Sequence, residues 1–121
     1  MKYLCLLYAD ESMWATMTPE DASQMVAEYG ALTADLKRSG HYVGGAQLQA
    51  STSATTVRVR GGKTLNTDGP FIETKEQLAG YYLVEASDLN EALSIAARIP
   101  ASRGGAIEVR PLVEAPVPAN A

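Results

Sequence analysis

In 121 residues the chain has one cysteine, one histidine, one phenylalanine and one tryptophan, and its 14 acids outnumber its 10 lysines and arginines. A single thiol excludes an internal disulfide. Cys5 lies in the apolar run Leu4-Cys5-Leu6-Leu7, where a buried, inert thiol in a reducing compartment is expected. One imidazole and one thiol make a poor set for a soft-ligand metal site, and the acids show no regular metal-loop spacing, so neither metal nor cofactor is expected. The formal net charge of −4 argues against a sequence-independent grip on nucleic acid or anionic membrane. No apolar run approaches the length of a membrane span, and the short segment before Asp10-Glu11 falls below a signal-peptide core. The expectation is an unprocessed cytoplasmic protein. No phosphate loop, dinucleotide fingerprint or nucleophile elbow is present, which leaves nucleotide-dependent chemistry unsupported.

What is present fits one domain over 1–114, followed by a frayed tail over 115–121 that carries Pro116 and Pro118. Residues 2–9 read as a strand apolar on both faces. Thr18-Pro19-Glu20-Asp21 is a helix start with cap, proline and two acids at the positive dipole end. Ala22, Met25, Val26, Tyr29, Leu32 and Leu36 then repeat at helical spacing and predict one buried stripe. A second strand is expected over 41–48. Thr55 to Arg60 alternates strictly, and Gly61-Gly62 predicts a hairpin that places Arg58, Arg60 and Lys63 on one exposed face. Residues 78–85 read as another two-sided apolar strand. Asp88 caps a second helix, with Leu89, Ala92, Leu93, Ala96 and Ile99 as its stripe. A last strand over 106–113 alternates Ile107 and Val109 with Glu108 and Arg110, a charged pair placed to form a ladder or line a cavity.

The densest chemistry lies at Thr67-Asp68-Gly69-Pro70-Phe71-Ile72-Glu73-Thr74-Lys75-Glu76-Gln77-Leu78. A turn aspartate normally accepts the N–H two residues on, but here that residue is Pro70, which has none. Asp68 is therefore less committed to local structure than most turn acids. Gly69 supplies freedom of φ, and Phe71 is expected to pin the loop into a core. A rigid structural connector and a loop presenting Asp68, Glu73, Lys75 and Glu76 at a cleft both fit.

Strand, helix, strand, hairpin, strand, helix, strand is the order of a ferredoxin-like α+β sandwich built from split β-α-β units. Helices cover one face of such a sheet, yet two strands are apolar on both. A second copy of the sheet is the expected cover, giving a homodimer.

With Asp68-Gly69-Pro70-Phe71, Glu73 to Leu78, Gly80-Tyr81-Tyr82 and Ile107-Glu108-Val109-Arg110-Pro111, the chain resembles the DGPF branch of the YCII-related family over nearly its whole length. The resemblance implies a ferredoxin-like fold assembled as a dimeric α+β barrel. It implies little about activity. Members of that branch are often encoded beside extracytoplasmic-function sigma factors, so the resemblance also implies a link to a stress or regulatory circuit. Some YCII-like relatives carry a His on the first helix and an Asp before a proline after the second, proposed as a catalytic pair. Tyr29 and Ile99 stand at those positions here, so a His/Asp mechanism does not carry over.

Two readings remain at this stage. In the first, a dimer binds a small organic ligand between the sheet and the 10–17 and 67–77 loops. Asp68 would be anchoring acceptor or general base, Tyr29 and His41 its polar partners, Trp14 and Phe71 the walls, and Glu73 and Lys75 further contacts. Proton transfer of lyase or isomerase type needs the fewest groups there. The alternative is a non-catalytic accessory or regulatory protein that uses the Arg58/Arg60/Lys63 hairpin or the 10–17 loop to meet a protein partner. Lys75 most simply neutralises Glu73 and Glu76 in either case.

Overall fold

The computed structural model describes residues 1–114, so the tail expected over 115–121 lies outside the described residues. Strand β1 (Lys2–Ala9) sits centrally, antiparallel to β5 (Gln77–Glu85) on one side and β6 (Ala106–Pro111) on the other, and β2 (Tyr42–Gln47) completes the sheet beyond β5. The order β2-β5-β1-β6, all antiparallel, is compatible with a ferredoxin-like α+β fold. β3 (Thr55–Arg60) and β4 (Lys63–Asp68) form a separate two-stranded hairpin between β2 and β5. Its turn rests on Gly61 and Gly62, both with positive φ.

Both helices form where their caps predict. Thr18 accepts from Asp21 N–H at the start of α1 (Pro19–Arg38), and Asp88 accepts from Glu91 N–H at the start of α2 (Leu89–Ala97). They cover one face of the sheet. Tyr3, Cys5 and Leu7 of β1 and Tyr82 and Val84 of β5 bury there against Leu32, Leu36, Ala92, Ile95, Ala96 and Ile99. The alternate residues Leu4, Leu6 and Leu83 lie half-buried on the opposite face, with Leu78 and Tyr81 exposed.

The buried stripes are shorter than their periodicity predicts. α1 buries only Leu32 and Leu36, whereas Ala22 and Met25 are exposed and Val26 is 73 % exposed. In α2, Leu89 and Leu93 are exposed and Ile95 takes a core place instead. A period marks which side of a helix is apolar, but burial also requires a neighbour, and the first half of α1 is exposed all round. Three short 3-10 turns at Glu11–Thr16, Ser51–Ser53 and Pro100–Arg103 complete the chain. No helix among the described residues is long and apolar enough to cross a membrane.

Candidate functional site

Two open clefts among the described residues have room for a small molecule. The first, of about 540 Å³, runs between α1 and the 100–103 turn and is lined by Glu28, Ala31, Leu32, Asp35, Arg98 and Pro100. Its charges are already spent on each other, because Arg98 pairs with Asp35 and Arg103 with Glu28. The second, of about 500 Å³, is lined by Tyr8, Thr74, Lys75, Glu76, Ala106, Ile107 and Glu108, and it is the chemically available one.

The second cleft owes its shape to local backbone. A register shift between Leu7 and Tyr8 in the β1–β5 pairing re-aims the end of β1. Beside it, a Cβ on Gly105 would lie 2.0 Å from Tyr8 O, so only glycine lets the start of β6 close on β1. Tyr8 OH donates to Glu108 Oε1 at 3.5 Å, and Arg110 holds the other oxygen of the same carboxylate. Opposite, the 69–76 loop is tied down by side chain to backbone bonds: Thr74 Oγ1 donates to Glu76 O, and Gln77 Nε2 to Thr74 O at 2.6 Å. Gln77 Oε1 accepts from Glu11 N–H at 2.9 Å, which joins the 11–16 turn to the same end of the sheet.

Lys75 forms no ion pair within 4.0 Å with Glu73 or Glu76, so simple local neutralisation is not its role in this structure. Its charge is felt at Asp10, whose carboxyl is held below the usual range first by the hydrogen bonds from Ser12 and then by Lys75. The cleft thus offers an ammonium without an ion pair among the described residues, a phenol, a carboxylate that already accepts two hydrogen bonds, and the apolar wall of Ile107. Among the described residues no three His, Cys, Asp or Glu side chains are grouped to hold a metal ion.

The YCII-related domain model matches residues 1–116. This chain belongs to the YCII-related family. The YCII-related chain is also similar to an uncharacterized protein of Rhizobium meliloti (strain 1021), at 37 % identity over 114 residues covering 93 % of this chain and 92 % of the relative.

In this YCII-related protein the residues singled out in the sequence fall into separate places. Tyr29 stacks on Tyr82 with ring centroids 6.5 Å apart, and its Oη accepts Ala101 N–H at 3.2 Å. Burial pushes the phenols of both Tyr29 and Tyr82 up. Ile99 is fully buried, so Tyr29 and Ile99 both serve packing here. His41 Nδ1 lies 2.8 Å from Glu85 O and 3.8 Å from Glu91 Oε1, at one end of β5. The loop carrying Asp68 enters the other end, at Gln77, the 9-residue length of β5 away, or about 27 Å. The structure therefore does not bring His41 to Asp68.

Asp68 is the last residue of β4 rather than a turn residue proper; the turn follows at Gly69, with φ of 100°. Gly69 N–H donates to Ala54 O, and Thr56 Oγ1 donates to Gly69 O, so backbone rather than the Asp68 carboxylate closes this loop. Phe71 corrects an expectation: it is 66 % exposed, and its ring lies under the Arg58 guanidinium at 4.9 Å instead of in a core. Glu73 is exposed on the same loop, and Trp14 is half-buried on the 11–16 turn. Of the seven residues, Lys75 alone lines the cleft. Tyr8 was not singled out because nothing in a two-sided apolar strand marks which tyrosine faces a cleft.

Proposed function

We propose that this protein is a homodimer of the DGPF branch, assembled as a dimeric α+β barrel, that binds a small organic ligand carrying an acidic group. The observation that carries the ligand reading is the Lys75 ammonium, which has no carboxylate within 4.0 Å among the described residues, in a cleft whose Glu108 is already held by Tyr8 and Arg110. A free cation in a half-apolar cleft selects an anion, with Tyr8 and Ile107 holding its carbon frame. Asp68 at the end of β4, with Phe71 and Glu73 on the loop that follows, precedes Lys75 and forms the proposed outer rim. The dimer reading is supported by the half-buried Leu4, Leu6 and Leu83 and the exposed Tyr81, which leave the second sheet face apolar and uncovered in a single copy.

Proton-transfer chemistry of lyase or isomerase type is the reaction class this cleft could support with its own residues. A second reading, a non-catalytic regulatory protein beside an extracytoplasmic-function sigma factor, is favoured by one observation: Tyr29, His41 and Asp68 share no hydrogen bond among the described residues.

The test is a thermal-shift screen of small organic acids against wild type and Lys75→Ala. Binding of an acid at a hundred times its Kd adds about 2.7 kcal/mol to stability. The upward shift should vanish in Lys75→Ala while the ligand-free melting temperature stays. A screen without hits, or hits that survive Lys75→Ala, overturns this assignment of the cleft.

A further inference from the structure

The β3–β4 hairpin is the part of the molecule least explained by its own chain. The two strands make their substantial contacts only with each other. Every residue of β4 is exposed, as is every residue of β3 except Thr56. An isolated two-stranded hairpin is marginal in water. Here the register puts Val57 opposite Asn66 and Val59 opposite Thr64 on one face, with both valines 60 % exposed.

The other face carries Arg58 opposite Leu65 and Arg60 opposite Lys63. None of these three cations has an ion pair among the described residues. Like charges directly across a hairpin destabilise it, and a carboxylate brought from outside relieves that repulsion. Strands of 6 residues carry the tip about 20 Å from its root. Arg60 and Lys63 consequently stand clear of the cleft on their own chain.

The complementary charge lies on the same chain at the cleft end of the sheet. Glu76 and Glu108 line the cleft with Lys75, Glu11 is joined to the same end through Gln77, Asp10 lies within reach of the Lys75 charge, and Glu73 stands on the 69–76 loop. Within one copy Arg58 is taken up by the Phe71 ring, but Arg60 and Lys63 at the tip of the arm can meet the acidic end of a second copy, and a two-fold axis makes both contacts at once.

We propose that the hairpin is an arm that docks on a second copy of this chain, laying Arg60 and Lys63 at its tip along the acidic end of the partner's sheet. Arg60 and Lys63 of each copy then close the other copy's cleft beside Glu76, so that the ligand site is complete only in the dimer. This inference rests on the homodimer reading above and extends it from the sheet face to the arm.

The experiment uses two full-length variants, Lys63→Cys and Glu76→Cys. Both positions are surface-accessible, and Cys5 is fully buried and out of reach. Oxidation of an equimolar mixture should give a covalent heterodimer that neither variant gives alone. In parallel, Arg60→Glu/Lys63→Glu should raise the dimer Kd at least ten-fold in sedimentation, and mixing it with Glu73→Lys/Glu76→Lys should restore association. Circular dichroism checks that each variant is folded. A wild-type dimer with no cross-link and an unchanged Kd in the charge-reversed arm overturns the arm while leaving the homodimer standing. A monomeric wild type overturns both.

Discussion

The Glu11 carboxylate receives two hydrogen bonds from one residue forty positions away: Ser51 N–H donates to Oε1 at 2.7 Å, and Ser51 Oγ donates to Oε2 at 2.8 Å. Because Glu11 N–H also donates to Gln77, this one residue fastens the 11–16 turn, the root of the hairpin and the start of β5 together. Glu11→Ala removes two bonds to a charged acceptor, and a loss of about 2 kcal/mol is expected. Urea denaturation measures it, and faster amide exchange at Ser51 should accompany it. Unchanged stability and exchange would show that the hairpin root is held by other contacts.

Three glycines separate close approach from simple permissiveness. A Cβ at Gly105 would meet Tyr8 O at 2.0 Å, and one at Gly80 would meet Ala46 O at 2.7 Å, both rigid backbone atoms of paired strands. Gly105→Ala and Gly80→Ala should each cost roughly 3 kcal/mol as the strands are forced apart. Gly30 stands within α1 with nothing inside 4 Å of its added Cβ. Gly30→Ala should instead stabilise by about 0.5 to 1 kcal/mol through helix propensity. Denaturation midpoints in the opposite order would contradict the strand packing described.

The pH dependence has opposite signs at two residues. Asp35 is held below the usual carboxylate range by the hydrogen bond and charge of Arg98, with Arg38 adding to it. A lowered folded pKa gives stability that is present above the unfolded value of about 3.9 and lost as pH falls through the folded one. Asp35→Asn should therefore flatten the acid limb of a melting-temperature profile below about pH 4. Burial pushes the Cys5 thiol up from 9.0 to about 11. Its contribution is complete below 9.0 and disappears as pH rises through about 11. Thiol reagents at pH 8 should accordingly label Cys5 only at the rate of unfolding, and fast labelling of the native protein would refute its burial.

Most element positions were legible because their signals are local. Thr18 and Pro19 fix the start of α1 through a side-chain bond and a preset φ, and Asp88 does the same for α2. The two-glycine turn at Gly61-Gly62 fixes the hairpin register, which places Arg58, Arg60 and Lys63 on one side as expected. The site was legible only in part. Of the two loops named from the sequence, 67–77 borders the Tyr8–Lys75–Glu108 cleft through Thr74, Lys75 and Glu76, whereas no residue of 10–17 lines it, Phe71 faces outward and His41 sits at the far end of β5.

By itself the sequence determined the order of strands and helices, the single buried thiol, the basic face of the hairpin and the two-sided apolar character of β1 and β5. Each of these depends on neighbours within a few residues or on composition. Tertiary structure alone decided that β6 closes on β1 at Gly105, that Tyr8 and Glu108 share a hydrogen bond, and that Met25 and Val26 stay exposed. Those outcomes depend on which distant strand lies alongside and how far each helix overlaps the sheet. Periodicity records which side of an element is apolar, and the pairing of strands a hundred residues apart determines what that side meets.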